Sequence, residues 1–423
     1  MKKLVAILLA VLMCVSAFSA LAEGEKTKVV FWYSLGGTNA EVIASMVESF
    51  NASQDKIEVD AQYQGEYDDA INKLKATSMG EALPFDIVQS YEIGSRFIID
   101  SQKMVPVQTY IDKTGFDVSV IEPNLLAYYT VDGKQASMPF NSSTPLLYFN
   151  KDMFVAAGLD PENPPQTFDE ILEAARVLTQ KDADGNVTVS GFSMSIYGWF
   201  FEQYLAVSGG SYVNNANGRD ALATEAVFNS PEGVAILDWW KTMYDEGLMG
   251  NYGRVNADVR TAFGTGQTAM FIDSTAVLRG LIDGIAGRFE VGTAFLPRPN
   301  QEAFETSGTI IGGASVWVIK DRPEEELNCA WEFIKSVTAP EQQAYWHTMS
   351  GYFPIRAAAY DQPLAQEWHA QYPSFQTAID QLHAAPNNRV TQGGLIGVFP
   401  NARQIIESAI EEVLAGTATS QEA

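Results

Sequence analysis

The chain has 423 residues, which is enough for two or three domains and too long for one compact core. Its formal charge of −25, from 27 Lys and Arg against 52 Asp and Glu, argues against nucleic acids and anionic membranes as partners. An anionic ligand would need local donors that overcome the field of the whole chain.

The N-terminal segment has the pattern of a secretory signal peptide. Lys2 and Lys3 precede an apolar run, Leu4–Leu21, that ends in the sequence Ala-Leu-Ala. We therefore expect a signal peptide over residues 1–22 that is removed after Ala22. The mature protein would be secreted, either periplasmic or at the cell surface. Cys14 gives a weak lipoprotein pattern as the alternative, because the residue before it is too large. No later stretch is long and apolar enough to span a membrane.

The first part of the mature chain predicts an α/β layer. Three segments have the apolar pattern of strands: residues 28–32, 57–63 and 85–88. Apolar residues at helical spacing separate them, and Thr38 to Glu41 matches a capping box for the first helix. Strand–helix–strand order predicts parallel pairing, with ligands beyond the carboxyl ends of the strands. Glu92, soon after the third strand, is therefore expected near a ligand.

A polar stretch before a buried strand is the strongest local signal for a ligand site. Leu146–Phe149 is apolar and aromatic, which predicts a buried strand. Asn141, Ser142, Ser143 and Thr144 precede it and supply amide and hydroxyl groups. Such donors beside a buried strand suit a polar ligand at a domain junction. A simple turn entering a strand is the alternative.

The second half predicts a further α/β unit. Thr167 to Glu170 matches a helix cap, and residues 268–272 form a strand that leads through Ser274 to a new helix. Residues 309–318 are predicted to form a strand with a glycine pair inside it, which suggests the close approach of a backbone or ligand. A last helix follows Pro400. Without a flexible linker, two lobes joined by several short crossings are expected.

Several segments together resemble the extracellular solute-binding proteins of ABC importers, in the class that includes maltose and glycerol-phosphate binders. The resembling segments are residues 31–34 (Phe-Trp-Tyr-Ser), 91–94 (Tyr-Glu-Ile-Gly), 139–145 (Pro-Phe-Asn-Ser-Ser-Thr-Pro), 150–152 (Asn-Lys-Asp), 157–162 (Ala-Gly-Leu-Asp-Pro-Glu), 310–315 (Ile-Ile-Gly-Gly-Ala-Ser) and 351–355 (Gly-Tyr-Phe-Pro-Ile). The resemblance implies an α/β, two-lobe periplasmic-binding-protein fold of type II, like maltose-binding protein, with a hinge and an interlobe ligand cleft. It implies an N-terminal lobe of residues 23–138 plus 312–345 and a C-terminal lobe of residues 139–311 plus 346–423.

The resemblance also implies a set of ligand contacts and a ligand class. The residues that match the family's contacts are Tyr67, Glu92, Ser143, Ser274, Gly313, Tyr352 and Arg403. The ligand would be sn-glycerol-3-phosphate or a glycerophosphodiester. Hydroxyl groups and the Gly313 N–H would surround the phosphate, with Arg403 as its charged contact. Glu92, with Tyr67 beside it, would accept hydrogen bonds from the glycerol hydroxyls.

Each of these residues also has a structural interpretation when taken alone. Tyr67 could begin a helix, and Glu92 could accept from a helix N-terminus. Ser143 and Ser274 could be N-caps, and Gly313 could lie in a bulge. Tyr352 could be a half-buried core residue, and Arg403 could be a cation on a helix surface. Their joint occurrence favours binding.

Two other function classes are weighed against a glycerol-phosphate binder. A neutral-sugar binder of the same fold could stack Trp32, Tyr197 and Trp199 on sugar faces and would not need Arg403. Phe168 stands where the family has a tryptophan, so a donor near the ligand is lost. A secreted hydrolase needs paired carboxylates or a metal cluster. The histidines, at 347, 369 and 383, show no metal spacing.

The expectation is therefore a binding protein and not an enzyme. It should need no cofactor and no metal, and should not bind nucleic acid. Its expected partners are a small-molecule ligand and an ABC permease in the membrane, and a monomer is expected.

Overall fold

A computed structural model describes residues 26–78 and 83–423, so the predicted signal peptide lies outside the described residues. The strands, in chain order, are β1 (Thr27–Tyr33), β2 (Ile57–Tyr63), β3 (Ile87–Tyr91), β4 (Met104–Val105), β5 (Thr130–Val131), β6 (Lys134–Gln135), β7 (Met138–Ser143), β8 (Pro145–Asn150), β9 (Gln180–Lys181), β10 (Val187–Val189), β11 (Phe192–Ser193), β12 (Met249–Gly250), β13 (Met270–Ser274), β14 (Val291–Ala294) and β15 (Gly312–Ile319).

Helices surround these strands. They are α1 (Gly37–Ser53), α2 (Tyr67–Ser78), α3 (Ser95–Ser101), α4 (Gln108–Thr114), α5 (Pro123–Tyr129), α6 (Lys151–Ala156), α7 (Phe168–Leu178), α8 (Gly198–Val207), α9 (Pro231–Asp245), α10 (Asn256–Gly264), α11 (Leu278–Ile285), α12 (Ala303–Thr306), α13 (Glu324–Val337), α14 (Pro340–Ser350), α15 (Pro363–Gln371), α16 (Ser374–Ala384) and α17 (Phe399–Ala415). Short 3₁₀ helices lie at Glu92–Gly94, Val118–Val120, Thr275–Val277 and Ala357–Ala359. A left-handed turn occupies residues 214–218. Within the described ranges, no helix has the length and apolar content needed to cross a bilayer.

Two sheets organise the molecule. The first has the order β2-β1-β3-β15-β4, and β7 also pairs with β15. Its β1–β2 and β1–β3 pairs are parallel, whereas β15 runs antiparallel to its neighbours. The second sheet has the order β12-β11-β13-β8-β14, parallel around β11 and antiparallel around β8. These two mixed sheets confirm the predicted α/β, two-lobe fold of type II.

The chain passes between the sheets more than once. Ser143 ends β7 in the first sheet and Pro145 begins β8 in the second, so buried Thr144 is the changeover point. The chain returns to the first sheet between β14 and β15. Both β7 and β8 are buried along their whole length. Burial of apolar side chains from strands and helices stabilises the core around them. The finer division into lobes by residue range stays a prediction.

Local capping predictions had mixed outcomes. Thr167 forms the predicted capping box, since its side chain accepts from the backbone of Glu170 and the Glu170 side chain accepts from the backbone of Thr167. The capping box predicted at Thr38 is wrong. The helix there begins at Gly37, with Gly36 as its N-cap and no side-chain cap. Gly37 has a φ of +57°, and that left-handed residue starts the helix before Thr38.

Candidate functional site

A cavity of about 770 Å³ contains residues that follow strands of both sheets. Its volume lies within the range of small-molecule sites in proteins. Six of the predicted contacts line it: Tyr67, Glu92, Ser143, Ser274, Gly313 and Tyr352. Residues almost 300 positions apart in the chain therefore meet at one place, as the resemblance implies.

We name the two sides of this cavity by their elements. The strand wall consists of Tyr67, Glu92, Ser143 and Gly313, which belong to the first sheet or follow its strands. The helix wall consists of Arg260, Asp273, Ser274 and Gly280, from α10, β13 and α11. Tyr352 follows α14 and has electrostatic contact with residues of both walls.

Tyr67 is fixed by aromatic stacking and one hydrogen bond. It begins α2, and its ring stacks on Tyr91 with centroids 5.1 Å apart. Its hydroxyl oxygen accepts from Nδ2 of Asn141 at 2.7 Å. An accepted bond leaves the hydroxyl proton of Tyr67 for a second partner. The side-chain oxygen of Asn141 in turn accepts from Nε2 of buried Gln89 at 2.6 Å, so a buried polar network supports Tyr67 in the strand wall.

The backbone carbonyl of Tyr352 is held by a buried histidine, His347. Nδ1 of His347 lies 2.7 Å from the carbonyl oxygen of Tyr352, and its Nε2 lies 2.8 Å from Nε2 of His369. A carbonyl can only accept, so Nδ1 of His347 must bear the proton and Nε2 accepts from His369. Burial raises the pKa of the Tyr352 phenol, which therefore remains a neutral donor. Among the described residues, no group of three or more His, Cys, Asp or Glu could hold a metal.

Gly313 must be glycine for two structural reasons. Its φ is +89°, where side chains are strained. A Cβ atom there would lie 1.9 Å from the carbonyl oxygen of Asn141 on the paired strand β7. The close approach of β15 and β7 therefore accounts for the glycine, whether or not its N–H also contacts a ligand.

The two cavity serines have different local settings. Ser274 is the N-cap of the 3₁₀ helix at Thr275–Val277, and its Oγ accepts from the backbone of Ala276 at 3.2 Å. That bond leaves the hydroxyl proton of Ser274 available to a ligand. Ser143 ends β7 opposite Gly312 and is buried at the cavity. Both serines therefore supply hydroxyl groups, one to each wall.

Arg403 lies behind the strand wall and is 4% exposed. Its Nε and Nη2 atoms donate to the two carboxylate oxygens of Glu202 at 2.6 and 2.8 Å, and Nη2 also donates to Oε1 of Glu92 at 2.6 Å. Burial alone would lower the pKa of Arg403, but Glu202 and Glu92 hold it well above its usual value. One guanidinium thus faces two buried carboxylates. Its predicted contact with a ligand phosphate stays a prediction.

Glu202 is a partner that the sequence analysis missed. It belongs to α8, which packs against α17, whereas Glu92 follows a strand of the first sheet. Burial raises the pKa of Glu202, and Arg403 offsets part of that rise. The Glu92–Arg403–Glu202 cluster therefore joins α8 and α17 to the first sheet behind the cavity.

Arg260 is the second residue that the sequence analysis missed. It lies on α10, and its Nε donates to Oδ2 of Asp273 at 2.6 Å. The side chain of Arg260 is 38% exposed, whereas that of Asp273 is 3% exposed. Oδ1 of Asp273 accepts from the backbone of Ser274 at 2.7 Å, which connects the arginine to a predicted contact. From the sequence alone, a helical arginine that faces a cavity cannot be distinguished from one that faces solvent.

The aromatic residues considered for sugar stacking have different locations. Tyr197 and Trp199 line the cavity. Trp32 instead packs in the core, with its ring 4.7 Å from that of Phe85. Phe168 is also a core residue, stacked on Trp239 with centroids 4.5 Å apart. Phe168 therefore gives no sign of forming a wall beside the ligand.

A polar cavity between two α/β sheets, supplied with side chains by both, defines a two-lobe ligand-binding protein. Comparison with known families agrees with this class. The family model described as "Bacterial extracellular solute-binding protein" matches residues 45–377. The chain therefore belongs to the family of bacterial extracellular solute-binding proteins. Members of this extracellular or periplasmic family bind small molecules and deliver them to ABC permeases; it is a family of transport proteins, not of enzymes.

Two curated relatives cover nearly the whole chain. This chain is 31% identical to the sn-glycerol-3-phosphate-binding periplasmic protein UgpB of Escherichia coli strain K12. The alignment spans 403 residues and covers 94% of this chain and 90% of the relative. The chain is 30% identical over 414 residues to the protein of the same name from Pectobacterium atrosepticum, which covers 96% of this chain and 91% of the relative.

Solved structures support the fold. UgpB from Mycobacterium tuberculosis in complex with glycerophosphocholine has a TM-score of 0.78 at 24% identity, covering 94% of this chain and 95% of that one. The cyclic alpha-maltosyl-1,6-maltose binding protein from Arthrobacter globiformis has a TM-score of 0.74 at 25% identity, covering 94% and 96%. Binders of a phosphodiester and of a neutral sugar therefore share this architecture.

Proposed function

We propose that this protein captures sn-glycerol-3-phosphate or a glycerophosphodiester between its lobes and delivers it to a membrane permease. The observation that supports this most is the convergence of six predicted contacts on one cavity, with a carboxylate and several hydroxyl donors. The curated relatives at 30–31% identity bind sn-glycerol-3-phosphate by name.

The chemistry of the cavity fits both ends of such a ligand. Glu92 can accept hydrogen bonds from the glycerol hydroxyls, and Tyr67 also lines the cavity, with a hydroxyl oxygen that accepts from Asn141. Ser143, Ser274 and Tyr352 can donate to phosphate oxygens. A carboxylate near one end and donors near the other would orient the ligand in one direction.

The same proposal includes the remaining expectations from the sequence. The protein would be secreted after cleavage of residues 1–22, act as a monomer and have no catalytic activity. Its lobes would close about the changeover at Thr144, which burial of the ligand requires. A smaller radius of gyration in solution scattering with ligand would support closure, and identical profiles with and without ligand would contradict it.

A neutral-sugar binder is the second candidate, and one specific observation favours it. The charge of Arg403 is already matched by Glu92 and Glu202, so the cluster offers no excess positive charge to an anion. Tyr197 and Trp199 also line the cavity, where aromatic faces can pack on a sugar ring. The cavity of about 770 Å³ has room for more than one sugar residue.

A thermal-shift screen followed by titration calorimetry separates the two candidates. The mature protein is mixed with sn-glycerol-3-phosphate, glycerophosphocholine, maltose or inorganic phosphate. A ligand at about a thousand times its Kd stabilises a protein by about 4 kcal/mol, which gives a clear shift in melting temperature. We expect the two glycerol phosphates to stabilise the protein and maltose to have no effect. Stabilisation by maltose alone would overturn the proposal in favour of the sugar candidate.

A further inference from the structure

We propose that Arg260, on the helix wall, is the cation that faces the anionic group of the ligand, and that Arg403 is a positioning residue for Glu92. This inference rests on the proposed function, and it identifies which arginine recognises the charge of the ligand. It also divides the two ends of the ligand between the walls. Glu92 and Tyr67 of the strand wall would meet the glycerol end. Arg260 and Ser274 of the helix wall would meet the phosphate, to which Ser143 would donate from the other side.

Nη1 is the one nitrogen of the Arg403 guanidinium that has no carboxylate partner in the part of the chain that the structure describes, and it donates to the Tyr197 hydroxyl at 3.5 Å. The fork of Nε and Nη2 is used by both oxygens of Glu202, and Nη2 is shared with Glu92. Moving this guanidinium toward a ligand would break these bonds and leave two carboxylates buried without their cation. Unpaired buried charges are strongly unfavourable. The bond from Nη2 to Oε1 of Glu92 instead fixes that carboxylate at the cavity, where its other oxygen can accept from a ligand hydroxyl.

Arg260 is in the opposite situation. Only its Nε is engaged, by Asp273, and within residues 26–78 and 83–423 the structure gives Nη1 and Nη2 no hydrogen-bond partner. It lines the cavity and retains more than a third of its side-chain exposure. An arginine with two unpaired NH2 groups on a cavity wall can donate to two oxygens of one phosphate.

Arg260 lies beside two of the predicted phosphate donors, Ser274 and Tyr352. Asp273, its partner, directly precedes Ser274 and accepts from the Ser274 backbone. Burial raises the pKa of Tyr352, and the bonds with Asn141 and Tyr67 and the charge of Arg260 partly offset that rise. Arg260 is therefore close enough to the Tyr352 phenol to interact with it. Two of the expected phosphate donors and this arginine surround the same part of the cavity.

The other cavity arginines are occupied by structural contacts. Arg279 donates to Asp283 at 2.7 Å and to the carbonyl oxygen of Thr348 at 3.2 Å, and its guanidinium lies over the Trp368 ring at 4.4 Å. Arg288 donates to the carbonyl oxygens of Ile285 and Gly284 at the end of α11. Each of these two arginines uses Nε and one Nη atom, so among the described residues that line the cavity Arg260 is the arginine with both Nη atoms unpaired.

The test compares two arginine variants with a matched control by titration calorimetry, using sn-glycerol-3-phosphate and glycerophosphocholine. Arg260→Gln removes the cation. The double variant Arg260→Gln with Asp273→Asn also removes the counterion, so that no buried carboxylate is left unpaired. Arg254→Gln is the control, because Arg254 is similarly exposed at 36% but pairs with Glu407 and Glu411 of α17.

We expect both Arg260 variants to bind the phosphate ligands at least tenfold more weakly, with the melting temperature of the double variant close to that of the wild type. Arg254→Gln should bind within twofold of the wild type. Wild-type binding together with unchanged binding in the double variant would overturn this inference and leave the proposed function intact. A wild type that binds neither phosphate ligand would overturn the proposed function, and the inference with it.

Discussion

The two walls of the cavity use arginine in different ways. Behind the strand wall, Arg403 is buried between Glu92 and Glu202 and links α17 to α8 and to the first sheet. On the helix wall, Arg260 has a single carboxylate partner and remains partly exposed. The comparison shows that an arginine near a ligand site cannot be assigned to the ligand by residue type alone. The number of its carboxylate partners and the depth of its burial decide what it can still bind.

The largest expected effect comes from removing the buried cation. Arg403→Met keeps an apolar stem but leaves Glu92 and Glu202 buried without their partner. Breaking a buried ion pair in this way costs about 3–5 kcal/mol, so we expect a loss of that size in the free energy of unfolding. Urea denaturation of the protein without ligand measures it.

Arg254→Met is the control for that loss, since Arg254 binds glutamates of the same helix α17 at the surface. It should cost less than about 1 kcal/mol, as exposed ion pairs do. If Arg403→Met were as stable as the wild type and only its affinity for ligand fell, Arg403 would be a direct ligand contact. The contrast between the walls would then be lost.

Glycine substitutions test the difference in packing between the walls. Gly313→Ala places a Cβ atom 1.9 Å from a backbone oxygen at a φ of +89°. We expect the protein to lose about 3 kcal/mol of stability, from backbone strain and displacement of β15 together. Gly280→Ala, on the helix wall, meets no atom within 4 Å and should gain up to about 1 kcal/mol. Thermal unfolding of both variants measures the difference, and equal melting temperatures would contradict it.

The sequence predicted features of the site that depend on local pattern. The buried strand β8 follows from its apolar run, and Ser274 was expected at a helix start, where it is the N-cap. Glu202 could not be identified this way, because it is 201 positions from Arg403 and looks like any helical glutamate. Arg260 was missed for a similar reason, since its function depends on Asp273 coming close to it in three dimensions. Long-range pairing of charges leaves no local trace.

Glycine and capping signals show the same limit. The glycine pair at 312–313 predicts a close approach, but the atom that Gly313 approaches, the carbonyl oxygen of Asn141, is defined only by the pairing of β15 with β7. Thr38 has a good capping sequence, yet Gly37 starts the helix first. Sequence patterns thus indicate where something unusual occurs more reliably than they indicate which partner causes it.

The strand wall should recognise ligand hydroxyls through Glu92. Glu92→Gln keeps the shape and the bond to Arg403, but weakens the acceptor and adds a donor. We expect the affinity for sn-glycerol-3-phosphate to fall by about 1.5–3 kcal/mol, the scale of a hydrogen bond to a charged group. Glu66→Gln is the control, because Glu66 is an exposed carboxylate of the same cavity that bonds Tyr63 at 3.0 Å. Equal affinity losses in the two variants by calorimetry would assign the effect to general charge and not to recognition by Glu92.

The smallest expected effect concerns pH and the residue in contact with both walls, Tyr352. Its carbonyl accepts from buried His347, and burial lowers the pKa of that histidine to about 4. An unfolded histidine has a pKa of about 6.5, so the unfolded chain binds more protons than the folded one as the pH falls below that value. The stabilising contribution of neutral His347 is therefore complete above about pH 6.5 and is lost as the pH falls toward 4. Between pH 6.5 and pH 5 the loss should be about 1.6 kcal/mol, because the unfolded histidine is half protonated at pH 6.5 and the full slope of 1.36 kcal/mol per pH unit is reached only below that. Urea denaturation at the two pH values measures this loss.

His347→Gln, which cannot titrate, is the control and should lose clearly less stability over the same pH interval. An equal loss would show that other groups cause the pH response and that Tyr352 is held independently of the protonation state of His347.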